Sequence, residues 1–142
     1  MYRKILLAYD GSSFSAAALA RSAELADLAK AELHILSIAA TSGSMAVAES
    51  LGSADIWGRE EEELRHTIEA TLAKLREQGL AVTGRVRCGD PADEIIAYAR
   101  ELDADLVVLG HTNKGALGRW LHGSIGVKLL DRLPCSLLVA VD

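Results

Sequence analysis

The residues between the apolar run DLVVL and the helical run IGVKLLDRL are suited to binding an anion. This stretch, GHTNKGALGRWLHGS (110–124), consists mainly of small and basic residues and ends in Gly123-Ser124. A helix that begins there would direct free backbone amides and the positive end of its dipole outward. Lys114 and Arg119 add positive charge. Together these groups suit a phosphate chain. The glycines are explained equally well if they only shape a turn of the chain.

A carboxylate follows the first apolar run of the chain. Asp10 comes directly after KILLAY (4–9) and opens the sequence DGSS. Its oxygens can accept ribose hydroxyls or coordinate a metal ion that phosphates hold. Two familiar phosphate motifs are absent, because Ser124 stands where a P-loop spaced from Gly118 has lysine, and no G-x-G-x-x-G follows the first run. The pattern indicates a nucleotide site of another kind.

The histidines do not form a catalytic set with a nucleophile. No G-x-S-x-G elbow is present. His34 lies in a predicted strand and is interpreted as a satisfied core or edge residue, and His66 lies in a charged helix and is interpreted as solvated. His111 and His122 flank the glycine-containing stretch, either as exposed loop residues or as phosphate neighbours. Cys88, next to the predicted pocket, is interpreted as a buried inert thiol, with a reactive thiol as the alternative.

Short apolar runs alternate with longer amphipathic stretches along the whole chain. A continuous apolar run indicates a strand covered on both faces, and apolar residues at helical spacing indicate a helix with one buried face. The predicted strands cover residues 4–9, 32–38, 81–87, 105–109 and 135–141, and the predicted helices cover 15–31, 59–78, 91–102 and 125–133.

Local signals set several boundaries of these elements. Asp90-Pro91 is a helix cap followed by proline at the first helical position, and Gly79 ends the preceding helix. Gly84 weakens the third strand. Residues 39–58 are predicted to be one long loop of small and polar residues, of the length that is usually functional or disordered. The charged helix carries an apolar stripe, which consists of Leu64, Ile68, Leu72 and Leu75.

The order of elements predicts an α/β fold. Five predicted strands alternate with four predicted helices, and right-handed crossovers then produce a single doubly wound, five-stranded parallel sheet flanked by helices, Rossmann-like, with strand order 3-2-1-4-5. One domain is expected over residues 1–142. Ligands of such sheets bind beyond the carboxyl ends of the strands, where the winding direction reverses, here between the first and fourth strands.

The composition excludes several classes of protein. The net charge of −5 offers no general attraction for nucleic acid or anionic membranes, so any anion site must be local. No apolar stretch reaches the roughly 18 residues of a membrane span, and the start of the chain does not resemble a signal peptide. Two cysteines without metal or disulfide spacing are interpreted as reduced thiols, which makes the cytoplasm the expected location.

Four segments of the sequence together resemble the universal stress protein family. They are ILLAYDGS at the start, GDPADEIIAYARELDADLVVLG, GHTNKGALGRWLHGS and PCSLLVAV at the end, and the resemblance spans essentially the whole chain. The ATP-binding branch of the family carries G-x-x-G, nine residues, then G-[S/T]. Gly110, Gly123 and Ser124 match this motif, whereas Asn113 replaces its second glycine. Asparagine tolerates positive φ, so the turn can be kept.

The resemblance implies which residues bind a nucleotide. It points to ATP or AMP as a bound ligand, with Mg²⁺ reached through the phosphates. By resemblance, Ala8 and Ile38 line the adenine pocket, Asp10 lies near the ribose and the metal, Leu109 and Gly110 lie beneath the nucleotide, Asn113, Gly123, Ser124 and Ile125 surround the phosphates, and Gly89 approaches the base or ribose.

Three functions fit these residues. The chain is a regulatory protein that binds an adenine nucleotide, or a slow ATPase on the same site, or a nucleotide-free dimeric interaction module. A homodimer is predicted through the last strand, CSLLVAV, which contains neither proline nor lysine to protect an exposed edge. The family commonly dimerises through this strand. A further protein partner is expected, and neither a nucleic acid nor a membrane.

Overall fold

Five strands and four helices alternate along residues 1–9, 15–40, 54–111 and 124–141, the part of the chain that the computed structural model describes. The strands pair in parallel in the order β3-β2-β1-β4-β5, which confirms the predicted fold. None of the helices described is long and apolar enough to cross a membrane. The strands are β1 (Lys4–Ala8), β2 (Glu32–Ala40), β3 (Val82–Gly89), β4 (Leu106–His111) and β5 (Ser136–Val141), and the helices are α1 (Ala16–Ala29), α2 (Ala54–Glu77), α3 (Pro91–Leu102) and α4 (Ser124–Arg132).

The two halves of the sheet meet between β1 and β4. Leu7 of β1 pairs with Ile35 of β2 on one side and with Val108 of β4 on the other. The chain winds outward from β1 through β2 to β3, and then crosses back to β4 and β5. The winding direction therefore reverses at the β1–β4 pair, and the crevice beyond the carboxyl ends of these strands is where ligands of such sheets bind.

Each face of the sheet is covered by two helices. Ile5 and Leu7 point to the face that packs against α1 and α2, whereas Leu6 and Ala8 point to the face that packs against α3 and α4. All four side chains are completely buried. Because both faces of the central strands are covered, these strands consist of apolar residues without alternation, which is the pattern seen in the sequence.

Helix α2 follows its predicted stripe. Ile68, Leu72 and Leu75 are buried against the sheet and Leu64 is half-buried. The helix ends at Glu77, and Gly79 follows it with φ of +86°, a conformation that L-amino acids rarely adopt. The apolar spacing and the glycine stop together define this helix.

The predicted loop over residues 39–58 is too long at both ends. β2 continues through Ala39 and Ala40, because they pair with Cys88 and Gly89 of the neighbouring strand. Helix α2 begins at Ala54, before the glycine at position 58 that marked the predicted boundary. A single glycine inside a helix costs only about 1 kcal/mol, so packing of the helix outweighs it. Residues 41–53 lie outside the described part of the chain.

Gly84 lets α2 approach β3 closely. A Cβ atom at this position would lie 2.9 Å from Cδ1 of Leu72 and closer still to Cγ2 of Ile68. The glycine that weakens the strand signal in the sequence is therefore a packing requirement. It allows the apolar stripe of α2 to lie directly on the strand backbone.

Replacing Gly84 with valine is expected to lower the free energy of unfolding by about 1–3 kcal/mol, the usual cost of overpacking. The added side chain displaces Ile68 and Leu72, so α2 must move away from β3. Urea denaturation followed by circular dichroism measures the effect. Ala73→Leu, on the exposed side of the same helix, is the control and should change stability by less than about 0.5 kcal/mol. An unchanged unfolding midpoint for Gly84→Val would contradict the packing argument.

Candidate functional site

An apolar floor lies at the carboxyl edge of the three central strands. Ala8 of β1, Ile38 of β2 and Leu109 of β4 belong to one buried cluster on the α3–α4 face of the sheet. Ala8 and Leu109 are at most 1% exposed, and Ile38 is 8% exposed. The structure thus brings together three residues that the sequence assigns to a nucleotide site. We call these three residues the apolar floor.

The carboxyl end of β1 is tied to β2 by two hydrogen bonds. The backbone amide of Tyr9 donates to the carbonyl of Leu36 at 2.9 Å. The buried hydroxyl of Ser37 donates to the carbonyl of Tyr9. These bonds fix the point from which the chain continues to Asp10, a predicted ribose and metal ligand that itself lies outside the described residues. Sequence reasoning did not identify Ser37, because a serine inside an apolar strand carries no distinctive signal.

Gly89 ends β3 in a conformation that favours glycine. Its φ is +153°, and a Cβ atom there would lie 2.7 Å from Oε1 of Glu94. The Glu94 carboxylate is also paired with Arg87, whose guanidinium lies 3.6 Å away and stacks over the ring of Tyr98 at 4.6 Å. The absence of a side chain at Gly89 therefore makes room for an acidic residue of α3 beside the strand end.

The fourth strand ends, and the fourth helix begins, at the carboxyl edge of the sheet. Gly110 is buried and pairs with Ala140 of β5. The backbone of α4 begins at Ser124 and Ile125, as the predicted phosphate helix requires. The start of this nine-residue helix is the feature that can offer unpaired amides to an anion. Two further predicted phosphate neighbours, Asn113 and Gly123, lie outside the described residues.

His34 is buried, whereas the predicted buried thiol of Cys88 is exposed. His34 is buried, with Nδ1 2.6 Å from the Thr83 hydroxyl and Nε2 3.0 Å from a Glu32 carboxylate oxygen, so it is a satisfied core residue as predicted. The prediction that Cys88 is buried is wrong: it is exposed, since β3 is an edge strand with one open side. Partial desolvation, followed by the negative charge of Glu61, raises the pKa of the Cys88 thiol, which disfavours the reactive thiolate.

A lysine of α4 reaches the first turn of α3. Asp90 caps α3 by accepting a hydrogen bond from the amide of Asp93 at 3.0 Å, which confirms the predicted cap. Nζ of Lys128 lies 2.6 Å from Oδ1 of Asp93 and 3.6 Å from Oδ2 of Asp90. We call these three residues the Lys128 clasp. Hydrogen bonding to Lys128 lowers the pKa of Asp93, and the same bond raises the pKa of Lys128.

The stabilisation from the Lys128 clasp is expected to depend on pH. The folded-state pKa of Asp93 lies below its ordinary value of 3.8, so its contribution is complete above that value and is lost as the pH falls through the lowered pKa. The pKa of Lys128 lies above 10.5, so its contribution is lost only as the pH rises beyond that value. The melting-temperature difference between the wild type and Lys128→Met should therefore be constant from about pH 5 to 9 and shrink below pH 3.8.

The exposed pair Lys30–Asp27 on α1, 3.6 Å apart, supplies the control. Lys30→Met should change the melting temperature much less, because exposed ion pairs contribute little. A Lys128→Met difference that persists undiminished below pH 3 would contradict the ion-pair explanation.

A model of the universal stress protein family matches residues 1–140. The chain belongs to the universal stress protein family. Among universal stress proteins, one from Thermus aquaticus is 33% identical over 147 residues, with 98% of each chain covered. Another, from Methanocaldococcus jannaschii, is 29% identical over 143 residues, which cover 98% of this chain and 82% of the relative.

Solved structures of universal stress proteins share the fold. UspA from Lactobacillus plantarum superposes with a TM-score of 0.81 at 21% identity, covering 98% of this chain and 97% of the other. A universal stress protein in complex with cAMP has a TM-score of 0.62 at 23% identity, covering 98% and 96%. One from Archaeoglobus fulgidus in complex with dAMP has a TM-score of 0.69 at 19% identity, covering 97% of each chain. At these identities the likeness shows the fold alone.

Proposed function

We propose that this universal stress protein binds an adenine nucleotide, ATP or AMP, as a regulatory ligand. The observation that carries the proposal is that the apolar floor and the amino terminus of α4 lie at the same carboxyl edge of the sheet. The base would pack on Ala8, Ile38 and Leu109, which are apolar and closely packed at the strand ends. The phosphates would extend toward the start of α4, where backbone amides and the helix dipole favour negative charge.

The remaining predicted residues complete the proposed site. Gly89 and Gly110 would let the backbone approach the ligand from both flanks. Asp10 would bind the ribose hydroxyls, or Mg²⁺ through the phosphates. Asn113, Gly123, Ser124 and Ile125 would surround the phosphates. The cAMP and dAMP complexes of two structural relatives support an adenine nucleotide as the ligand class.

The nucleotide content of the purified protein tests this proposal. The protein is denatured after purification, and the supernatant is analysed by absorbance and mass spectrometry. Adenine nucleotide at close to one equivalent, or binding of added ATP in the micromolar range by calorimetry, is the expected result. Protein that is free of nucleotide and does not bind added ATP or AMP would leave the nucleotide-free interaction module as the function. ADP formation over hours with Mg²⁺ would identify the slow ATPase.

We propose further that the protein is a homodimer joined through β5. This strand is an edge of the sheet, and its side chains Val139 and Val141 are 37% and 68% exposed. Leu28 of α1 is 73% exposed and lines the same groove as the end of β5. Exposed apolar residues along an unpaired strand favour pairing with a second copy, which a twofold axis would arrange antiparallel.

The opposite edge of the sheet is protected. β3 carries the exposed charged residue Arg85, and charged residues on an edge strand oppose association. The two edges are therefore unequal, which supports β5 as the interface. The proposal takes residues 1–142 as one domain of a cytoplasmic protein whose nucleotide state is sensed by a protein partner. The net charge of −5 gives no reason to expect a nucleic acid or a membrane.

A further inference from the structure

The only ion pairs between α3 and α4 in the described part of the chain belong to the Lys128 clasp. Both helices pack on the same face of the sheet and both begin at its carboxyl edge, the edge of the proposed nucleotide site. The Lys128 side chain is half-buried, and the Asp93 carboxylate that it reaches lies at the surface. Its distance of 2.6 Å to Asp93 is that of a direct, charge-assisted hydrogen bond.

The clasp connects groups that approach the nucleotide from opposite sides. Asp90 directly follows Gly89, at the end of β3, and its carboxylate fixes the start of α3. Lys128 lies four residues after Ser124, which is about one helical turn, or 6 Å, from the start of α4. An ion pair here therefore links the β3–α3 junction to the first half of α4.

Other contacts also hold the two helices together. Leu129 is fully buried in the same cluster as Ile95 of α3, so apolar packing holds α4 against its neighbour. The guanidinium of Arg100 donates to the carbonyl of Arg132 at 3.4 Å, at the far ends of both helices. The Lys128 clasp adds to this packing a directional contact between α4 and the start of α3.

We propose that Lys128 is a positioning residue of the nucleotide site. Through Asp90 and Asp93, it holds the amino terminus of α4 at a fixed distance from the β3–α3 junction, so that the helix amides meet the phosphates while the junction meets the base or ribose. The inference rests on the proposed nucleotide binding and names a residue that acts on the phosphate side of that site. Lys128 acts through α4 and does not itself contact the nucleotide.

A purely electrostatic role predicts a different pattern from positioning. If Lys128 acted only as a nearby positive charge, its removal would weaken ATP binding, and removal of the Asp93 negative charge would strengthen it. If the clasp positions α4, both substitutions weaken binding, because either one breaks the same ion pair. The double variant then binds no more weakly than the weaker of the two single variants. The sign of the Asp93→Asn effect therefore separates the two roles.

The experiment measures ATP affinity by calorimetry and adenosine affinity by ligand-observed NMR. The variants are Lys128→Met, Asp93→Asn, the double variant and Lys128→Arg. Lys30→Met and Asp27→Asn make the same charge changes in the α1 pair, which lies near the amino end of β2, away from the site. Thermal unfolding of every variant confirms that it is folded at the temperature used.

Positioning predicts a loss for ATP and little change for adenosine. Lys128→Met and Asp93→Asn should each weaken ATP binding about 5- to 20-fold, an effect within the range for residues coupled through a shared ion pair, while adenosine binding changes less than about twofold. Lys128→Arg should recover most of the ATP affinity, and the α1 controls should bind like the wild type.

Three results would overturn the proposal. Tighter ATP binding by Asp93→Asn would assign Lys128 a charge effect only. Equal losses for ATP and adenosine would indicate general destabilisation of the fold. A wild-type protein that binds neither ligand would overturn the proposed function, and the positioning role with it, whereas the first two results leave the proposed function standing.

Discussion

ATP binding is expected to be lost when Gly123 is replaced with valine. Gly123 is the glycine of the G-[S/T] pair in the sequence motif and directly precedes the first residue of α4. At that position, branched side-chain atoms would occupy the space through which a phosphate approaches the amides of Ser124 and its successors. Loss of these bonds should move the dissociation constant from the micromolar to the millimolar range, a change of about 4 kcal/mol.

Calorimetry with ATP measures this loss, and Gly123→Ala serves as the graded control. One methyl group obstructs the approach less than two, so alanine should bind ATP more weakly than the wild type but more tightly than valine. The melting temperature of both variants should stay close to that of the wild type. Unchanged ATP binding by Gly123→Val would remove Gly123 from the site.

Asn113→Gly, unlike Gly123→Val, is not expected to weaken ATP binding. This substitution restores the second glycine of the family motif and removes a side chain that could crowd a phosphate. ATP affinity should stay equal or rise, as measured by the same titration. A large loss of affinity would show that the asparagine side chain makes a contact of its own with the ligand.

A shift from dimer to monomer is expected when Val139 and Val141 are both replaced with lysine. The two valines are exposed on the edge strand, so in a β5-paired dimer they become buried. The free-energy cost of burying two unpaired ammonium groups per chain is far larger than the stabilisation that the valine contacts contribute. Leu138 is a less suitable target for mutation, since its side chain also packs against the core cluster beneath α1.

Light scattering at tens of micromolar distinguishes the two states, and circular dichroism should show the helix content retained. Ala73→Lys combined with Ala97→Lys adds the same charge on the exposed sides of α2 and α3, and this control should remain dimeric. A wild type that is monomeric at these concentrations would refute the interface. The same would follow if the control variant dissociated as readily as the Val139/Val141 variant.

Signals that are local in the chain predicted most of the fold. Continuous apolar runs located the central strands β1 and β4, because strands covered on both faces need apolar residues. The edge strand β3 has a mixed sequence and gave the weakest strand signal. The cap at Asp90 and the stop at Gly79 set helix boundaries through hydrogen bonds and backbone conformations that involve only neighbouring residues. The strand order followed from the handedness of the crossovers, which is a general property of L-amino-acid chains.

The candidate site was predictable only in part. Ala8, Ile38 and Leu109 were assigned by family resemblance, and the structure places them in one cluster because parallel strands bring their carboxyl ends to the same edge. The nucleotide-binding role of all the site residues remains a prediction, and Asp10, Asn113 and Gly123 also lie outside the described residues. Nothing in the sequence singles out Ser37, whose role as a hydrogen-bond donor to Tyr9 depends on the pairing of β1 with β2.

Tertiary packing decided the features that depend on residues far apart in the chain. Gly84 looks like a weak point of a strand until α2 is packed on it, and β2 continues to Ala40 because β3 pairs with it there. Lys128 has the sequence signature of an ordinary solvated lysine, and only the packing of α4 beside α3 brings it to Asp93. Backbone propensity and apolar spacing act over a few residues, whereas an ion pair across 35 residues forms only once two helices have docked on the same face of the sheet.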